Sequence, residues 1–151
     1  MGDCEVCALN THNDPRLILF ENIDWVIVLR EDDQQYLGKS VVSCKHHIPH
    51  VADMTDELWQ TFAECTKWYE RRVSNVFEPA NYNWQCLMNL GAAVGVTHVH
   101  WHATPRYDRP VTFEETVFRD QRWPKSARPM EDHRAVERSL AYAIAKKIRG
   151  S

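Results

Sequence analysis

Residues 97–107, THVHWHATPRY, constrain the fold more than any other stretch of this 151-residue chain. Histidines stand at every second position, His98, His100 and His102, with Val99 and Trp101 between them and Pro105 closing the run. A β-strand sends alternate side chains to opposite faces, so this spacing puts the three imidazoles on one face and Val99, Trp101 and Ala103 on the other. A helix would spread positions 98, 100 and 102 around its circumference, and the β-branched and aromatic residues between them favour extended chain. At about 3.3 Å per residue, neighbouring histidines start about 6.6 Å apart and the outer pair about 13 Å apart. A zinc–nitrogen bond is only about 2 Å long, so two neighbours can reach one metal but the outer pair hardly can. At least one of the three must do something else.

The remaining pattern supplies strands and helices to surround this one. LILF (17–20) and WVIVLR (25–30) read as a hairpin across the turn-forming ENID, and after the polar run EDDQQYLG the stretch KSVVSC reads as a third strand. KHHIPHVADM is an irregular connection broken by Pro49. From Thr55 a long helix is predicted, with Asp56 and Glu57 in its first turn and a stripe of Leu58, Phe62, Cys65, Tyr69, Val73 and Val76 before Pro79. YNWQCLMNL then alternates as a fourth strand, with Asn89 near its end, and GAAVGV is a loop whose two glycines permit conformations or close approaches that a side chain would block. In EDHRAVERSLAYAIAKKIR, the spacing of Val136, Leu140, Ala143/Ile144 and Ile148 predicts a C-terminal helix. With 44% hydrophobic and 26% charged residues, the chain suits one α+β domain with a sizeable core.

Composition removes several functional classes. A net charge of -3 with scattered basic residues gives no footprint for duplex nucleic acid. The segment MGDCEVCALN has no apolar signal region and no stretch approaches a membrane span, so a soluble cytoplasmic protein is expected. Five cysteines, an odd number, point to a reducing compartment in which Cys4, Cys7, Cys44, Cys65 and Cys86 are thiols or metal ligands. Taken alone, Cys4-x-x-Cys7 fits a redox pair, half of a zinc site or chance.

The histidine row carries the chemistry. An imidazole with a pKa near 6.5 is mostly neutral at pH 7 and can attack an electrophile, and in its charged form it can donate a proton to a leaving group. A nucleophile flanked by a second imidazole suits covalent transfer at phosphorus. HVHWHATPRY, preceded by NWQCLMNLG, resembles the signature of the histidine triad (HIT) family, and QQYLGKSVVSCKHHIPHVADMTDELW resembles the strand, loop and helix that lead up to the triad there. The resemblance covers roughly residues 4 to 107, leaving 108–151 as a C-terminal extension. It implies a HIT-like α+β fold: an antiparallel sheet of about five strands with one long central helix and a C-terminal helix. It also implies a homodimeric nucleotide hydrolase acting on phosphoramidates or dinucleoside polyphosphates, with a purine nucleotide or dinucleotide as substrate.

Carried over by position, the resemblance makes His100 the nucleophile that becomes nucleotidylated and His102 the histidine at the phosphate and leaving-group oxygens. Asn89 matches a phosphate-side asparagine, and Glu31 falls where an acidic residue binds ribose hydroxyls. Where many members have glutamine and serine or threonine before the first histidine, this chain has Val94 and Gly95, so phosphate would be held by backbone N–H groups near Gly95 or by Thr97. In zinc-containing relatives a CxxC pair joins a histidine before the long helix and the first triad histidine, which here are Cys4, Cys7, His47 and His98. His46 and His50 are neighbours able to replace His47. Such a closed set of two thiolates and two imidazoles is structural zinc chemistry. Two other readings stand beside the hydrolase: a nucleotide-binding or sensing protein with little turnover, and a metal-dependent hydrolase with zinc held by the triad itself.

Overall fold

The computed structural model describes residues 4–128 and 133–150. A short helix α1 (Glu5–His12) precedes strands β1 (Ile18–Glu21), β2 (Trp25–Leu29) and β3 (Ser40–Cys44). Helix α2 (Asp56–Phe77), strand β4 (Asn81–Gln85), helix α3 (Asn89–Val94) and strand β5 (His100–Arg106) follow. A hairpin of β6 (Val111–Phe113) and β7 (Thr116–Phe118) and the helix α4 (Arg138–Arg149) complete the described chain. The five longer strands form an antiparallel sheet in the order β1-β2-β3-β5-β4, which puts the histidine strand inside the sheet between β3 and β4.

Alternation along these strands assigns each face of the sheet. Trp25, Ile27 and Leu29, Val42 and Cys44, and Val99 and Ala103 point into the core. There they meet the buried stripe of α2, which runs Leu58, Phe62, Cys65, Tyr69, Val73 and Phe77. The stripe ends on Phe77 where the periodicity pointed to Val76, which is half-buried beside it. Trp101 packs on Phe62 with ring centroids 5.1 Å apart, so the apolar side of the histidine strand lies against the long helix as expected. Thr55 caps α2 by accepting from the Leu58 N–H at 3.3 Å, and the helix closes at Glu78 in the left-handed region, just before Pro79.

Three elements differ from the sequence reading in their boundaries, each for a physical reason. The fourth strand stops at Gln85, and the segment read as strand end and loop instead turns into α3, so Asn89 opens a helix. Beyond Gln85, whose partner is His102, β4 has no further rung on β5, and the alanine-containing NLGAAV satisfies its own backbone as a helix. Gly91 permits the tight return that follows, because a Cβ there would sit 2.6 Å from the Val96 carbonyl oxygen. The histidine strand begins only at His100, where its rungs to β3 start opposite Ser43, so His98 and Val99 lie in the run before it, and it continues past Pro105 to Arg106. Since β3 pairs with β5 only as far as Ala103, Pro105 lies where β5 has β4 as its one neighbour, a place that tolerates a missing N–H. Finally, α4 begins at Arg138, later than the periodicity suggested, and buries Ala141, Ile144, Ala145 and Ile148. The residues before it are extended along the β2–β3 connection, where Gln34 N–H donates to the Arg134 carbonyl (2.7 Å) and Val136 N–H to that of Glu31 (3.1 Å). Residues 131 and 132 of the expected helix lie outside the described residues. Among the described residues no helix is long and apolar enough to cross a membrane.

Candidate functional site

The sheet face away from α2 carries the chemistry, and its first cluster forms where α1 crosses the end of β3. Asn10 holds α1 there, donating to the Cys44 carbonyl at 2.8 Å and accepting from the Ser43 hydroxyl at 2.5 Å. This docking brings Cys4 and Cys7 to His47 and His98, with all four ligand atoms within 4.8 Å of one another. Cys4 Sγ and Cys7 Sγ each lie 3.3 Å from His98 Nδ1, and Cys7 Sγ lies 3.5 Å from His47 Nδ1. Sulfur and nitrogen on neighbouring corners of a zinc tetrahedron are about 3.5 Å apart, so the set has the right donors at the right separations. The Nε2–H of His98 donates to the Cys44 carbonyl at 2.8 Å, which directs the Nδ1 lone pair at the thiols. Burial lowers the pKa of this ring and keeps it neutral, as a ligand must be. His46 is turned elsewhere, with Nε2 2.8 Å from Asp24 Oδ1, and His50 is exposed at the start of a single 3₁₀ turn.

With His98 turned to the cysteines, His100 and His102 are left as a pair, ring centroids 5.4 Å apart and planes at 72°. His100 is half-buried, and its Nδ1–H donates to the His98 carbonyl at 2.8 Å. That bond fixes the tautomer and leaves Nε2 with its lone pair free to attack. His102 is buried, and this burial, helped by the charges of His100, Lys39 and Arg30, pushes its pKa down to about 4. The pair therefore combines one accessible imidazole with one held neutral, with the basic side chains of Lys39 and Arg30 nearby. Lys39 forms a fully buried ion pair with Asp33, and Arg30 binds Asp32 through two nitrogens at 2.7 and 2.5 Å.

The other positions singled out by sequence fall into place unevenly. Asn89 is exposed at the start of α3, Gly95 ends that helix with φ +78°, and half-buried Thr97 follows in the run into β5. Both carboxylate oxygens of Glu31 are engaged by Arg138 of α4, at 3.0 and 3.1 Å. Sequence reasoning did not select Gln85, Arg30, Lys39 or Cys86. Gln85 reaches the histidines through strand register, Arg30 and Lys39 flank β2 and β3, and Cys86, its thiol pKa raised by burial, takes a hydrogen bond from the His100 backbone. A cleft of about 350 Å³ between α1 and the β1–β2 edge shares Cys7 with the metal cluster but includes neither His100 nor His102.

Comparison with known proteins agrees with this geometry. Residues 12–109 match the HIT domain model. The chain is 29% identical over 152 residues to the protein named Protein hit of Bacillus subtilis, covering 99% of this chain and 97% of that one. A zinc-bound histidine triad family protein from Mycobacterium smegmatis superposes with TM-score 0.62 at 17% identity, covering 97% and 93% of the two chains. The diadenosine triphosphate hydrolase of Plasmodium falciparum superposes with TM-score 0.61 at 14% identity, covering 91% and 76%. On its sequence, its five-stranded fold and its paired histidines, the chain belongs to the HIT domain family.

Proposed function

We propose that the chain is a nucleotide hydrolase that cleaves phosphoanhydride or phosphoramidate bonds through a nucleotidyl-His100 intermediate. The observation that carries this reading is the bond from His100 Nδ1 to the His98 carbonyl, which leaves Nε2 as a fixed nucleophile beside His102. In the first step Nε2 forms a bond to the substrate phosphorus as the bond to the leaving group breaks, and His102 serves the leaving atom and the phosphate oxygens. Water then attacks the same phosphorus, the P–N bond breaks and His100 is regenerated with release of the nucleoside monophosphate. The substrate class is a purine nucleotide phosphoramidate or a dinucleoside polyphosphate, in keeping with family membership and with a relative that hydrolyses diadenosine triphosphate. Glu31 is the candidate for the ribose hydroxyls, and Asn89, Gly95 and Thr97 for the phosphate side.

Cys4, Cys7, His47 and His98 fit a structural zinc, which would tie α1 to β3 and to the start of the histidine strand without entering the reaction. A zinc-bound relative supports that choice of metal. This arrangement disfavours zinc held by the triad itself, because His98 points to the thiols while His100 Nδ1 is spent on the His98 carbonyl. The nucleotide-sensing reading keeps one specific support, the exposed Val94 and Gly95 where polar phosphate contacts would be expected. We further propose a homodimer in the cytoplasm, checked by sedimentation equilibrium. Mass spectrometry of the protein quenched with a nucleoside phosphoramidate and with a dinucleoside polyphosphate tests the mechanism. A nucleotidyl adduct on His100 is expected, and turnover without any adduct, or turnover abolished by chelation in still-folded protein, overturns it.

A further inference from the structure

Gln85 and His102 stand directly opposite one another on β4 and β5, so both side chains project from the face that carries the histidines. Opposed residues of an antiparallel pair have Cβ atoms roughly 5 Å apart, within reach of a glutamine amide. His102 is 9% exposed, and its Nδ1 has no hydrogen-bond partner among the described residues. The same is true of the buried Gln85 Oε1. Buried polar atoms are ordinarily paired, so two orphans facing each other across one rung of a sheet call for a common explanation. They are also complementary. An amide oxygen only accepts, and an imidazole nitrogen donates when it carries the proton.

We propose that Gln85 is a positioning residue for His102: the two are not bonded in this structure, and a side-chain rotation that brings Oε1 onto the Nδ1–H of the ring turns a bare Nε2 toward the transferring phosphorus group. The inference rests on the role given to His102 above and adds the group that sets its tautomer. In the resting state Nε2 is then an acceptor for a proton from the attacking water. The imidazolium so formed holds its Nδ1 proton against Gln85 and gives the Nε2 proton to the leaving atom of the next substrate molecule, which restores the neutral ring. Among the described residues no other polar side chain stands directly across from His102 in the sheet. Val41, its partner on β3, is apolar. Thr104, whose buried hydroxyl is also unpartnered among the described residues, faces Asn83 one rung further along. The charged groups around the ring are His100 on its own strand, Lys39 just before β3 with Asp33, and Arg30 just after β2 with Asp32. From the covering C-terminal segment, Asp120 is taken by Arg106 and His133 lies 3.7 Å from Asp33. The group facing His102 from β4 is therefore a neutral amide.

The test is nitrogen NMR of the full chain labelled with ¹⁵N-histidine at neutral pH, the His102 signals being assigned by their loss in His102→Gln. The two ring-nitrogen shifts report which one carries the proton. Wild type is expected to hold it on Nδ1, Gln85→Leu to move it toward Nε2, Gln85→Glu to retain it on Nδ1, and Thr104→Val to change nothing. Turnover in Gln85→Leu should fall about tenfold to a hundredfold in kcat with KM little altered. A wild-type proton on Nε2, or a tautomer that shifts in Thr104→Val and not in Gln85→Leu, overturns the proposal. If Gln85→Leu does not fold, the wild-type spectrum still decides. The spectrum is independent of activity, so a failure of the hydrolase reading, seen as no adduct on His100, is distinguishable from a failure of the Gln85 pairing.

Discussion

His100 and His102 sit two residues apart, yet their surroundings assign them different work. The nucleophile is half-buried with its inner nitrogen satisfied by the His98 carbonyl, whereas His102 is enclosed. Replacing His100 with alanine removes the attacking nitrogen and should lower turnover by several orders of magnitude while nucleotide binding persists, as single-turnover kinetics and calorimetry would register. His102→Ala should cost less, about 10²–10⁴-fold in kcat, because proton transfer to a leaving group contributes on that scale. Equal and complete losses at both positions would undo the division of roles. Burial of His102 also couples it to stability. Its pKa is lowered from 6.5 to about 4 on folding, so below about pH 6.5 the unfolded chain binds a proton that the folded one refuses. The favourable contribution is complete above that pH and is lost as the pH falls through the window down to about 4, by an amount on the order of 3 kcal/mol. Urea denaturation at pH 7 and pH 5 should show wild type losing more stability than His102→Gln, and equal losses would contradict the assignment.

At the scale of elements, α1 and α3 are small pieces that determine whether the site assembles. α1 buries no residue fully, and its attachment to the sheet rests on Asn10 and on the cysteine–histidine cluster. Replacing Cys4 and Cys7 with serine should therefore reduce both zinc content and Tm, while the protein that remains folded keeps measurable turnover. Elemental analysis beside a thermal melt decides this: about one zinc per chain in the double variant would exclude the thiols as ligands. α3 depends on Gly91, where a methyl group would press on the Val96 backbone. Gly91→Ala should cost about 1–3 kcal/mol and displace the turn that leads into Thr97 and His98, which equilibrium denaturation and amide exchange would detect. The strand reading of residues 82–90 was correct for its first half, where alternation coincides with pairing to β5, and failed where the partner strand ran out. Alternation in a sequence reports a face but carries no information about how far a neighbour extends.

For the molecule as a whole, the C-terminal segment is bonded into the sheet well beyond the match to the family model. Arg106, two residues beyond Thr104 on the histidine strand, forms a buried ion pair with Asp120 at 2.7 Å, the two side chains 3% and 0% exposed, and donates to the Lys125 carbonyl. Residues 134–138 bind the β2–β3 connection through Gln34 and Glu31, and α4 packs on α2 and β1. Asp120→Ala leaves a buried guanidinium without its carboxylate and should destabilise the fold by about 3–5 kcal/mol, measured as a lowered denaturation midpoint. A change under 1 kcal/mol would mean that this segment does not brace β5.

What the sequence determined by itself is the local part of this design. Three histidines at a period of two, opposite Val99, Trp101 and Ala103, can only separate their faces as a strand, and the stripe from Leu58 to Val73 can only bury one side of a helix, because side-chain period follows from backbone geometry. The four members of the metal cluster came from resemblance to a family, and the fold brings their ligand atoms together. Tertiary structure alone decided that His47, and not His46 or His50, joins the cysteines, that Glu31 is held by Arg138, and that Gln85, Lys39 and Arg30 gather around His102. Those relations depend on strand register and on contacts between residues from 17 positions apart (Gln85 and His102) to 107 (Glu31 and Arg138), which no local period encodes.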